Sequence, residues 1–156
     1  MRLPNYDYRQ NGAYFVTCVC DHRQLLLEDV RFAGIVEHSW RWLGEQYAYV
    51  YPDEFVVMPN HVHGILMLDE PRSAASGSGP SLQARKSLGR LLGAFKTRTA
   101  REINLLRGTP NEPFWQRNFY ERVIRGEREL LRTREYIRDN PRRWMEDPEN
   151  PSNALV

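Results

Sequence analysis

The stretch YVYPDEFVVMPNHVHGILML, residues 49 to 68, decides the fold. YVYPDEFVVM (49–58) and HVHGILML (61–68) are extended runs rich in β-branched and aromatic residues, and Pro59-Asn60 between them suits the centre of a tight turn, so together they predict a β-hairpin. Working outward, AYFVTCVC (13–20) reads as a strand. VRFAGIVEHSWRWLGEQ (30–46) sets Phe32, Ile35, Val36, Ser39 and Leu43 at helical spacing. From Ser87 to Leu106 a second apolar stripe runs through Leu88, Leu92, Phe95, Thr99, Ile103 and Leu106. NFYERVIR (118–125) is a short strand candidate, and GERELLRTREYIRDN (126–140) is a helix that Pro141 stops. The order strand, helix, strand, strand, helix, strand, helix predicts an α+β fold: a ferredoxin-like split βαβ antiparallel sheet with an added C-terminal helix.

At 156 residues the chain predicts a single domain over 1–156. An apolar fraction of 41% with 12% aromatics argues against disorder, and no run approaches the ~20 apolar residues of a membrane span. MRLPNYDYRQ carries no hydrophobic segment behind its charges, so no secretory signal is visible and a cytoplasmic location is expected. Cys18 and Cys20, close together in an extended segment, suit a reducing compartment. Residues 69–83, DEPRSAASGSGPSLQ, read as a flexible loop within the domain. The net charge of +2 is mild, but Arg85, Lys86, Arg90, Lys96, Arg98, Arg101 and Arg107 crowd a segment holding one acid, Glu102. Such a cluster is either a solvated helix face or a polyanion contact.

His61 and His63 lie two apart in a predicted strand, so they share a face at roughly 6.6 Å along the chain and can converge on one ion with bonds of about 2 Å. A bare HxH is equally an ordinary polar pair, so a further group has to be found. Topology supplies one. The last strand ends far from the histidines and the last helix climbs back; its length of roughly 21 Å matches a six-residue strand and brings its final turn beside them. Tyr136 and Asn140 lie in that turn, four apart on one helix face. Asn140 can offer an amide oxygen to a cation, and Tyr136 a phenol oxygen near whatever the cation polarises.

MPNHVHGI, followed downstream by FWQRNFYERVIR and EYIRDNPRRW, resembles the single-tyrosine HUH transposases, specifically the REP-associated tyrosine transposases, and the opening YDYRQNGAYFVT fits as well. The resemblance spans nearly the whole chain. It implies His61, His63 and Asn140 as ligands of a divalent metal, Mg²⁺ or Mn²⁺, and Tyr136 as nucleophile. Many mobile-element relatives carry glutamine where Asn140 stands. The resemblance further implies DNA transposition and recombination chemistry, with single-stranded DNA carrying a hairpin, such as a REP sequence, as substrate. Monomeric and homodimeric states are both compatible with it.

The expected function is therefore a metal-dependent single-stranded DNA endonuclease and strand transferase working through a 5′-phosphotyrosine. A phosphodiester resists attack because its oxygens are negative, and a bound cation offsets that charge. Attack by tyrosine conserves the bond energy, so the released 3′-hydroxyl can later rejoin the strand. The phenol must lose its proton on attack, and the sequence names no obvious base. Arg90, Lys96, Arg98 and Arg101 are candidate phosphate contacts, and Trp115, Tyr120, Tyr6 and Tyr8 candidate stacking platforms. Three alternatives stay open: a structural zinc site of Cys18, Cys20, His61 and His63; a hairpin-binding protein that does not cut; and Tyr120 as the nucleophile.

Overall fold

The computed structural model describes residues 3–72 and 84–153. Four strands, β1 (Gly12–Val19), β2 (Val50–Val57), β3 (His61–Leu68) and β4 (Tyr120–Ile124), form one antiparallel sheet in the order β2-β3-β1-β4. Three α-helices, α1 (Val30–Gln46), α2 (Leu88–Arg107) and α3 (Gly126–Asp139), complete the predicted element order. Of the predicted loop at 69–83, residues 73–83 lie outside the described residues. Among the described residues no helix is long and apolar enough to cross a membrane.

Alternation along the central strands divides the protein into two layers. Tyr14, Val16 and Cys18 of β1, with Val62, Leu66 and Leu68 of β3, point to one face and pack against Trp40 and Leu43 of α1 and Leu92 and Phe95 of α2. Phe15 and Ile65 point to the other face, where they meet Ile137 of α3 and Ile124 of β4. Asp29 caps α1 by accepting from the Arg31 N–H at 2.9 Å. Ser87 caps α2 at its start, and Gly108, at φ +69°, closes it in the left-handed conformation. The stripe predicted on α2 holds as far as Ile103; Leu106 is exposed, and Leu91 and Asn104 are buried in addition. Trp40, absent from the predicted α1 stripe, is one of its most buried residues.

Two irregularities prepare the site. Gly64, in the middle of β3, faces the rings of Trp40 and Phe55; an added Cβ would lie 2.6 Å from Trp40 Cζ2 and 2.9 Å from Phe55 Cδ1. Glycine is what allows the indole to lie against the strand. In edge strand β2 the pairing with β3 slips between Pro52 and Phe55, where two steps on β3 oppose three on β2. Pro52 is tolerated because the strand has a free edge. The bulge breaks the alternation, so the successive acids Asp53 and Glu54 both reach α3: Asp53 grips Arg134 in a two-pronged pair at 2.8 and 2.9 Å, and Glu54 takes Arg138 at 2.9 and 2.6 Å.

Candidate metal and nucleophile site

His61 and His63 leave the start of β3 on the α3 face and are buried. The His61 Nδ1–H donates to Asn60 Oδ1 at 2.9 Å, which leaves the Nε2 lone pair free. His63 Nδ1 meets Thr17 Oγ1 at 2.7 Å, Thr17 being the residue directly opposite in the β1–β3 register. The two Nε2 atoms are 3.1 Å apart, and Asp147 Oδ2 stands 3.4 Å from His61 Nε2. Asp147 Oδ1 accepts from the Glu149 N–H at 2.8 Å, which turns the carboxylate toward the histidines. One ligand atom from each of His61, His63 and Asp147 lies within 4.8 Å of the others.

Burial depresses the proton affinity of both rings: His63 falls to about 3, with His61 beside it as the second cause, and His61 is lowered although Asp147 opposes the shift. The neutral, ligating form of both imidazoles is therefore favoured. Without a cation, the Thr17 hydroxyl can donate to His63 Nδ1 while His63 Nε2–H donates to His61. With a cation, the proton sits on Nδ1 and the hydroxyl accepts it, so two lone pairs and a carboxylate converge as a divalent-metal donor set. The His-His-Asp group can thus hold a divalent cation. Removing the hydroxyl with Thr17→Val leaves Nδ1 without its partner, and the affinity for Mn²⁺, measured by titration calorimetry, is expected to fall about 10–100-fold.

Tyr136 rises from α3 as predicted. Its ring centroid is 5.5 Å from that of His63 and 6.0 Å from Phe15, and the side chain is 45% exposed. Asn140 is buried just past the helix end, where its Nδ2–H donates to the Tyr136 carbonyl at 3.1 Å and leaves Oδ1 as the amide atom available to accept. A cleft of about 1100 Å³ opens over Tyr136, His63 and Asp147 and is walled by Phe119, Tyr120 and Arg122. Tyr120 is 48% exposed there.

The other predicted contacts fall elsewhere. Lys96 Nζ donates to the carbonyls of Gln116 and Asn118, both at 2.9 Å. Arg98 lies over the Trp42 ring and pairs with Glu102, while Arg90 and Arg101 are exposed. All four belong to α2, on the sheet face away from Tyr136. Trp115 is buried with its indole N–H donating to Thr99 Oγ1 at 2.8 Å, and a base could reach it only if it left the core. Tyr6 and Tyr8 pack against one another and against Tyr14. The four-residue zinc cluster does not assemble: Cys18 pairs with Val62 in the register, and both cysteines join the core on the α1–α2 face, opposite the histidines. Burial pushes their thiols up to about 11 and 12.

Sequence reasoning missed Asp147, Asn60 and Thr17. Asn60 had been read only as a turn residue, yet its side chain also donates to the carbonyls of Arg23 and Glu149, tying together the three segments that meet at His61. Thr17 was accessible to reasoning once β1 was paired with β3. Asp147 was not, because it lies beyond Pro141 in a segment without periodicity.

No family model matches the sequence. A protein of Haemophilus influenzae described as uncharacterized is 31% identical, covering 94% of this chain and 89% of its own. Among solved structures, a REP-associated tyrosine transposase bound to a REP hairpin superposes with a TM-score of 0.64 at 21% identity, over 92% of this chain and 74% of that one. A candidate transposase from Deinococcus radiodurans R1 superposes with a TM-score of 0.55 at 17% identity, over 89% and 96%. The chain therefore belongs to one family with the Haemophilus influenzae protein, and its fold is that of the REP-associated tyrosine transposase.

Proposed function

We propose that the protein is a metal-dependent endonuclease and strand transferase for single-stranded DNA bearing a hairpin, with Tyr136 as nucleophile. The observation that carries this reading is the placement of the half-exposed Tyr136 ring 5.5 Å from His63, one of two buried imidazoles whose free nitrogens converge. The fold shared with a transposase bound to a REP hairpin supports the choice of substrate.

In this mechanism His61 and His63, with Asp147 or Asn140, would hold Mg²⁺ or Mn²⁺, which when bound would supply neutralisation of the phosphate oxygens. The Tyr136 Oη attacks phosphorus, the bond to the 3′-oxygen breaks, and the departing oxygen takes up a proton as a 3′-hydroxyl. The 5′-phosphate then rests on Tyr136. Attack by a 3′-hydroxyl on the same phosphorus releases the phenol and reseals DNA. Asn60 and Thr17 keep the imidazoles in their ligating orientation, and the sheet behind them excludes water from that side.

Labelled hairpin oligonucleotides with single-stranded flanks, incubated with Mn²⁺ and separated on a denaturing gel, test the proposal. Wild type is expected to give a covalent protein–DNA adduct, and Tyr136→Phe none. An adduct that survives the substitution moves the nucleophile to Tyr120, which lines the same cleft. Binding without any adduct reduces the function to hairpin recognition.

A further inference from the structure

The arginines of α3 divide into two sets. Arg134 and Arg138 are consumed by Asp53 and Glu54 on the β2 side of the helix. On the other flank Arg125, Arg128 and Arg132 line the cleft that leads to Tyr136. Their side chains are exposed, and among the described residues none of the three guanidinium groups has a hydrogen-bonding or ion-pairing partner. The acids that line the same cleft are already engaged: Glu129 takes the Arg125 backbone N–H and pairs with Arg122, Glu149 pairs with Arg23, and Asp147 faces His61.

Their spacing has a consequence. Arg128, Arg132 and Tyr136 follow at four-residue intervals, each step advancing about 6 Å along the helix, and Arg125 stands three residues before Arg128, at the N-cap of α3. A row of unpaired guanidinium groups that ends at a tyrosine is a track an extended polyanion can follow, and the exposed Tyr120 on the facing wall offers a ring to stack a base. A compact anion would need converging donors; these diverge along a line. We infer that Arg125, Arg128 and Arg132 bind successive phosphates of the single strand that Tyr136 attacks, and that α2, the most basic segment of the sequence, does not hold that strand. This rests on the function proposed above.

The track is tested by equilibrium binding, separately from cleavage. A fluorescein-labelled 12-nucleotide oligothymidine is titrated with the full chain in a chelator, over salt from about 50 to about 200 mM. Each phosphate contact on a single strand contributes about 0.7 to the slope of log affinity against log salt. Arg128→Ala/Arg132→Ala is expected to lower the slope by about 1.4, and Arg128→Lys/Arg132→Lys to keep it, since the charges remain. Arg90→Ala/Arg101→Ala is expected to leave the slope for this probe unchanged. An unchanged slope in the α3 alanine variant, or an equal loss in the α2 variant, overturns the inference. All of these side chains are exposed, so the variants are expected to fold. Because no metal is present, a protein that fails to form an adduct can still reveal the track, and one that forms an adduct can still lack it.

Discussion

Replacing His63 with alanine is expected to abolish the stabilisation that Mn²⁺ confers on the protein. For wild type, metal at 100 times its dissociation constant adds about 2.7 kcal/mol, which for a chain of this size raises the melting temperature by roughly 5–10 °C. His63→Ala removes one of two buried nitrogen donors that stand 3.1 Å apart, and its loss of affinity should exceed the 10–100-fold assigned to its hydrogen-bond partner Thr17. A thermal melt with and without Mn²⁺ reads the effect directly. The variant should melt at one temperature in both, form no covalent adduct, and still bind oligothymidine through the arginines. A metal-induced shift that survives in His63→Ala would show that the cation sits elsewhere. Asp147→Asn is expected to weaken binding by a smaller factor, because a charge is lost while an amide oxygen remains.

The second large effect belongs to Gly64. An alanine there has to displace Trp40, which is 2% exposed, stacked on Phe55 at 4.6 Å and edge-on to Phe95 at 5.6 Å. These rings have little room to yield. Overpacking of this kind costs about 1–3 kcal/mol, so Gly64→Ala should lower the melting temperature by about 3–10 °C. Gly93→Ala is the matched control. Gly93 lies inside α2 with nothing within 4 Å of a built Cβ, and alanine there should stabilise the helix by about 0.5–1 kcal/mol. A Gly64→Ala protein that melts with wild type would mean that the indole can move off the strand.

How much of this was legible in the sequence follows from where each signal resides. The hairpin, the two long helices and the final helix were written locally, in alternation and in 3.6-residue periodicity, and their order determined the sheet. The approach of Tyr136 to the histidines followed from helix length against strand length. Strand parity was also available: His61, His63 and Ile65 share a face, and Cys18, paired with Val62, takes the other. That parity excludes the cysteine–histidine cluster, although proximity in the sheet alone suggested it. Asp147 was not legible, since its position depends on how the segment after Pro141 packs over β3. Charge density drew attention to α2, and sequence counts charges without showing which are engaged: Lys96 is taken up by backbone carbonyls and Arg98 pairs with Glu102. In α3 the acids that remove Arg134 and Arg138 lie some 80 residues upstream, on a strand whose irregular pairing no local pattern announces.

That irregular pairing also has a mechanical meaning. Arg134 and Arg138 are the two points at which the final helix is moored to the sheet edge, and Tyr136 lies midway between them. A rod moored at two points four residues apart cannot spin about its own long axis, so the phenol is carried at the stiffest part of its element. The opposite end begins at Gly126, a residue with φ +83° and no crowding around it, where a strand turns into a helix with least resistance. Removing one residue from the β2 irregularity would restore strict alternation, swing one mooring to the far side of the sheet, and leave the nucleophile on a helix tethered at a single point.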